Sequence, residues 1–153
     1  MSNEPNRLAY PYRRSLRLEF WISVIVICFR FLTCRRRYSM KVIHFNDAES
    51  YEPEKDWKRA SLCNETDISI EHFVKPPLHA SPLHEHPNAQ VLIVLKGKIA
   101  IKTDTGDEQV LGEGDAAYIP GNEPHIVTNV LDVPSIGLDI FVPGRSFDFW
   151  LKR

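Results

Sequence analysis

Cysteine is scarce in this sequence: Cys28, Cys34 and Cys63 are the only ones. No two of them form a C-x-x-C pair, which argues against a disulfide scaffold and thiol-rich metal motifs. Cys63 alone lies in the body of the chain, where it reads as a buried structural thiol. A lone thiol fits a reducing compartment, so a cytoplasmic protein is expected. No apolar stretch reaches the ~20 residues that cross a bilayer. The longest, Phe20 to Phe29, is cut off by Arg30. Helical periodicity of useful length, internal repeats and low-complexity tracts are all missing, which excludes bundles and repeat arrays.

The net charge of −1 conceals a division. Residues 1–39 carry eight Arg against two Glu, whereas residues 40–153 carry eleven basic side chains against eighteen acidic ones. An acidic body lacks the clustered Lys and Arg that phosphate contacts require, so nucleic acid is not an expected partner. The composition changes at Met40, where Met40-Lys-Val-Ile-His-Phe opens a strand-like run. Residues 1–39 are therefore expected to be an extension outside the fold, with Met40 as the natural start, and residues 40–153 a single domain. The apolar run with flanking Arg also resembles the middle of a signal peptide, but no small-x-small cleavage site follows it.

What the body does have is a succession of short runs rich in β-branched and aromatic residues. They are Val42–Phe45, Arg59–Cys63, Ile68–Val74, Gln90–Leu95, Lys98–Thr103, Glu108–Leu111, Ala116–Ile119, His125–Val130 and Ile136–Val142. Turn chemistry separates them; Lys96-Gly97 and Asp104-Thr105-Gly106-Asp107 read as hairpin turns. Strands at this spacing predict an all-β sandwich or jelly-roll barrel. Residues 146–151 read as one helical turn or a last edge strand. Val42–Phe45 is the expected outer strand, through which two copies would pair as a homodimer and cover an open sheet edge.

The most informative stretch is His84-Glu-His86-Pro-Asn-Ala-Gln90. Alternate residues of an extended chain share a face, so His84, His86 and Gln90 point the same way. His125 follows the turn Pro120-Gly-Asn-Glu-Pro124 on a later strand, and antiparallel pairing can bring it opposite. Three imidazole nitrogens and one amide oxygen suit a divalent transition ion with up to two positions left open. This donor set does not choose among nickel, iron, manganese, cobalt and zinc. All four donors are neutral, so the ion would keep its full charge for an anionic oxygen. His44 and His72 read as ordinary strand residues and Glu85 as a surface charge; His79, in the Pro-rich loop 76–82, could line the pocket mouth, but a solvated loop histidine is the favoured reading.

His84-x-His86-x3-Gln90-x6-Gly97 resembles the first motif of the cupin superfamily, with Gln90 where a Glu is usual. Gly114-x5-Pro120-x4-His125-x3-Asn129 resembles the second, with Asn122 at a usual Gly position; Asn tolerates the left-handed conformation better than most residues. The resemblance spans roughly residues 65–142 and implies a double-stranded β-helix holding one metal ion. Further along, Asp139 and Phe141 share a strand face, and Arg145 follows a Pro-Gly turn. On the strand alone the plainer reading is favoured: Phe141 as core, Asp139 as a strand-end charge, Arg145 as solvated. With Gln as the fourth ligand, however, Asp-x-Phe-x3-Arg resembles the small cupins of pectin and alginate breakdown. Those proteins convert 4,5-unsaturated uronate monosaccharides to linear 4-deoxy-5-keto uronates. Gly144 departs from a Pro common at that point. The resemblance implies catalytic roles for Asp139, Phe141 and Arg145 and a small anionic sugar as substrate. A different cupin enzyme, an iron-dependent dioxygenase or isomerase, and a non-catalytic sugar- or anion-binding module remain open.

Overall fold

The computed structural model describes residues 39–152. The chain divides into two units, Met1–Lys41 and Val42–Arg153, and every strand among the described residues belongs to the second. Apart from Ser39, the expected extension over residues 1–39 lies outside the described residues.

Nine strands are present among the described residues: β1 (Ser50–Glu54), β2 (Trp57–Asn64), β3 (Ser69–Lys75), β4 (Ala89–Lys96), β5 (Ile99–Thr103), β6 (Glu108–Leu111), β7 (Ala116–Ile119), β8 (His125–Asn129) and β9 (Ser135–Val142). Pairing is antiparallel throughout. One sheet runs β1-β2-β3-β9-β4-β7 and the other β6-β5-β8. Every strand expected from Arg59 onward is found, with ends moved by no more than two residues.

The expected strand Val42–Phe45 is not formed. A β-prone run needs a partner, and the edge beside β2 is already occupied by β1, with Ser50 opposite Ala60 and Tyr51 opposite Arg59. Val42, Ile43 and Phe45 are exposed, and Phe45 opens a short 3-10 turn to Asp47. His44 precedes that turn and is not a strand residue. The outer strand is thus β1, and the edge expected to carry a homodimer is not a strand at all. Pro53 and two Glu within β1 hid it from the sequence pattern, although an edge strand tolerates Pro. A second 3-10 turn, Phe149–Leu151, ends the described chain.

Alternation along the strands divides the interior in two. At one end Leu92, Val94 and Ile99 are fully buried and pack with Phe73, Ile101, Ile119 and Val127. Each such side chain stabilises the fold by roughly 1.5–3 kcal/mol on burial. Gly137 makes room there: a Cβ at that position would overlap the ring of Phe73 and the carbonyl of Ile93. Toward the other end the same inward faces turn polar. Ser69 pairs with Phe141, which pairs with Gln90; one row on, Glu71 pairs with Asp139, which pairs with Leu92. The hairpin glycines Gly97 and Gly106 take positive φ as their turns require, and Asn122 does so too at φ 61°. No helix among the described residues is long and apolar enough to cross a membrane.

Candidate metal centre

His84 and His125 are held together by a two-bond backbone bridge. The amide of His84 donates to the His125 carbonyl at 3.1 Å, and the His125 amide donates back at 2.9 Å. That bridge sets their rings 4.2 Å apart, centroid to centroid. Two residues on from His84, the ring of His86 lies 5.5 Å from that of His125. The carbonyl of His86 accepts the Asn122 amide at 2.7 Å, which locks the Pro120–Pro124 turn against the first histidine segment. One ring nitrogen from each of the three buried histidines lies within 4.8 Å of the others.

Hydrogen bonding identifies which nitrogens these are. Nδ1 of His84 faces the Pro82 carbonyl at 3.0 Å, that of His86 faces Asn88 at 2.8 Å, and that of His125 faces Glu123 at 2.7 Å. A carbonyl only accepts, so each Nδ1 carries the proton. Burial, first of all, lowers the pKa of all three rings; the neighbouring His125 adds to this at His84 and Arg145 at His86. Neutral rings protonated at Nδ1 leave three Nε2 lone pairs aimed inward. His125 Nε2 is buried with no hydrogen-bond partner.

Gln90 completes the donor set. Its amide nitrogen donates to Asp139 Oδ1 at 2.7 Å, which turns Oε1 toward His86 Nε2 at 3.1 Å. Two lone pairs facing each other at that distance repel unless a cation sits among them. The residues therefore fit a divalent ion: neutral imidazoles oriented by backbone carbonyls and an amide oriented by a carboxylate are the outer-shell supports that metal ligands generally carry.

Asp139, Phe141 and Arg145 line the same cavity as His84 and Gln90, and all three are buried. Arg145 is therefore not the solvated residue of the plainer reading. Its guanidinium packs 3.8 Å from the Phe141 ring centroid and 4.3 Å from that of Phe149. One terminal nitrogen, NH2, donates to Glu71 at 3.1 Å, while Nε is buried without a partner. Glu71 also accepts from Arg59 Nε at 2.6 Å, and Arg59 NH2 reaches Asp139 Oδ2 at 2.7 Å. Arg59, Glu71, Asp139 and Arg145 thus form one buried network joined through Asp139 to Gln90. The Glu71 and Asp139 carboxylates raise the pKa of Arg59 even though its burial opposes this.

Arg59, Glu71, Lys75, Trp57 and Trp150 were not singled out from the sequence. One signal was available: in Ser69-Ile-Glu71-His-Phe73-Val-Lys75, the two charges fall in phase with Phe73, so a buried Phe73 carries them inward. His79 is half-buried, bonded to Glu54 at 3.0 Å and packed on Trp57, rather than a solvated loop residue. Glu85 is exposed, as read, and Cys63 is only half-buried. His72 lies in β3 with its ring against Phe45.

The cavity is small, about 20 Å³, room for about one water. Trp57 and Trp150 form a wall between it and an outer groove of about 420 Å³ lined also by Pro53, Glu54, Pro82 and Leu83. The Trp150 ring lies 4.6 Å from that of His84 and 4.8 Å from that of Trp57. The C-terminal turn thus plugs the barrel mouth directly above the histidines.

Residues 72–141 match the family described as "Cupin domain". No curated protein matches this sequence. Among solved structures, KdgF from Halomonas sp. is similar at 19% identity and TM-score 0.64, over 71% of this chain and 97% of that one. An RmlC-like cupin from Shewanella frigidimarina gives 22% identity and TM-score 0.63, over 71% and 95% of the two chains. The polyketide cyclase RemF from Streptomyces resistomycificus gives 22% and 0.59, over 70% and 82%. Strand order, the placement of both histidine segments and these likenesses agree: the chain has the double-stranded β-helix fold of the cupin structures it is similar to.

Proposed function

We propose that this protein is a metal-dependent cupin enzyme that converts 4,5-unsaturated uronate monosaccharides into linear 4-deoxy-5-keto uronates. Nε2 of His84, His86 and His125 with Oε1 of Gln90 would hold one divalent ion, which when bound supplies Lewis-acid stabilisation of a developing oxyanion. The observation that carries the reading is the bond from Gln90 to Asp139. It joins the metal-ligand set to the Asp-x-Phe-x3-Arg residues, all facing one cavity. The similarity to KdgF supports the same reading.

The conversion is an isomerisation. The anomeric hydroxyl loses a proton, the ring C1–O5 bond breaks, and a proton is delivered to C4, leaving an aldehyde at C1 and a ketone at C5. Asp139 would carry that proton; its two oxygens accept from Gln90 and Arg59, which supports the reading by fixing their direction. Phe141, its ring stacked against the Arg145 guanidinium, supplies apolar bulk that would exclude water from the reacting face. Arg145 offers its unused Nε–H to a substrate oxygen. Its NH2 is already held by Glu71, which fixes the orientation of the guanidinium.

A monosaccharide is larger than the closed cavity, so entry runs from the outer groove with displacement of Phe149–Leu151. The direct test supplies metal-loaded protein with a fresh product of a uronate lyase and follows the ultraviolet absorption of the conjugated enol acid. Its loss, faster than in protein stripped of metal, is the expected result. Unchanged absorption across a panel of such uronates ends this assignment.

A further inference from the structure

Lys75 is a buried charge that the reaction described above does not use. It ends the inward stripe of β3, is 2% exposed, and lines the same cavity as His84, Gln90 and Asp139. Its backbone cannot shift freely, because Asn129 Nδ2 donates to the Lys75 carbonyl at 3.2 Å and to the Pro76 carbonyl at 2.9 Å. The ammonium sits 4.2 Å over the Trp57 ring, and among the described residues no carboxylate comes within ion-pair distance of it. A cation–π contact replaces only part of the hydration such a charge loses.

The surroundings leave it short of a counter-charge. The buried cations in and behind the wall are Arg59, Lys75 and Arg145, against two carboxylates, Glu71 and Asp139. Both carboxylates are taken by the arginines. Among the described residues a protonated Lys75 therefore has no buried counter-charge of its own, and a bound divalent ion would add to the excess. We infer that Lys75 is an anion-binding residue of this cavity and that the site takes a small organic carboxylate, with that group on Lys75 and the hydrocarbon part against Trp57 and Phe73. A single carboxylate matches the single missing charge, and the aromatic wall favours a ligand with a carbon skeleton over an inorganic oxyanion. This deepens the uronate reading by naming the group that holds the substrate carboxylate, and it rests on that reading for the choice of sugar acid alone.

Burial, and then the Arg59 charge, lower the Lys75 pKa to about 7. Asp139 and Glu54 act in the opposite sense; His79, and His84 on the wall of the same cavity, are further titratable groups close by. Above that pH the free amine is neutral, and a docking anion raises its pKa and draws a proton in. Binding therefore takes up a proton, and affinity falls about tenfold for each pH unit above the free pKa until the pKa of the bound form is reached.

Calorimetric titration of metal-loaded protein with sodium galacturonate, at about pH 8 in two buffers of unlike ionisation enthalpy, reads this directly. Uptake of most of one proton is expected, together with little binding of galactose, which lacks the carboxylate. Lys75→Met, which keeps the stem packed on Trp57, should lose the proton uptake and at least about tenfold in affinity. Proton uptake that survives in Lys75→Met points to another group, such as His79 or His84, and overturns the assignment, as does wild-type binding with no uptake. Sulfate that binds as well as galacturonate, with the same uptake, overturns the choice of a carboxylate. The wild-type measurement stands if the variant fails to fold. Galacturonate bound with Lys75-dependent uptake but no turnover of any unsaturated uronate would support the anion site and defeat the enzymatic reading. Turnover with an unchanged KM in Lys75→Met would do the reverse.

Discussion

The two walls of the cavity are built on opposite principles. The histidine wall is local and neutral: His84, His86 and Gln90 fall within seven residues, and each ring nitrogen that faces outward finds a backbone carbonyl nearby. The charged wall is dispersed and ionic. Arg59, Glu71, Asp139 and Arg145 come from β2, β3, β9 and the loop after β9, and each carboxylate is held by a side chain remote in sequence. Neutral donors can converge without mutual support because a cation among them relieves the repulsion of their lone pairs. Buried charges have no such freedom, because each must find its opposite before the chain closes. The first wall is organised around what it would bind, the second around itself.

Removing one member of the histidine wall should therefore abolish the site while sparing the fold. His125→Ala is expected to end stoichiometric metal binding, read by elemental analysis after loading and desalting, with little change in thermal midpoint of the metal-free protein. Asp139→Asn keeps the shape but no longer dictates the direction of the Gln90 amide. Its metal affinity should fall by roughly 10–100-fold, the usual cost of losing an outer-shell support, and turnover should fall by more than galacturonate affinity does. An Asp139→Asn variant with full metal affinity and full turnover would separate the two walls that the Gln90 bond joins.

The charged wall should respond in the opposite manner. Glu71→Gln leaves Arg59 with a single carboxylate and Arg145 with none, both still buried. Breaking a buried pair on one side typically costs about 3–5 kcal/mol, so the denaturant midpoint should fall steeply. Whatever remains folded should still bind metal. A Glu71→Gln protein as stable as the parent would mean that the arginines reach solvent, and the description of this wall as closed would be wrong.

That difference also explains what could be read in advance. Spacing within one short segment, partly ahead of β4, revealed His84, His86 and Gln90, and turn chemistry placed His125, because each depends on neighbours within a few residues. Strand positions from Arg59 onward were legible for the same reason, from alternation and the glycine turns. Glu71 was not: one acidic residue in Ile-Glu-His-Phe reads as an outward charge until pairing sets its phase against Phe73. Arg59 and Lys75 were hidden in the same way, and β1 lacked the β-branched residues that mark a strand. Trp150 was invisible because nothing in residues 146–151 indicates that the turn folds back over the barrel mouth.

Trp150 belongs to neither wall and closes the space between them. Trp150→Ala should join the cavity to the outer groove. The expected result is faster stripping of metal by a chelator, by several-fold to about tenfold, with the equilibrium affinity less affected because no ligand is touched. Unchanged stripping would show that exchange does not pass through the plug.

The smallest effect is expected one residue away from one of the largest. Lys58 and Arg59 are neighbours on β2 with the same charge, but alternation sends them to opposite faces. Arg59 is enclosed by Glu71 and Asp139, and its loss would strand both carboxylates. Lys58 pairs with Glu52 at 3.7 Å, with both side chains about half exposed or more. Water and salt screen such a pair, which is worth about 0–1 kcal/mol. Lys58→Ala should therefore shift the denaturant midpoint barely, and less still at high salt, whereas Arg59→Ala should shift it by several times as much at any salt concentration. Equal shifts in the two variants would mean that β2 does not hold the register that builds the charged wall.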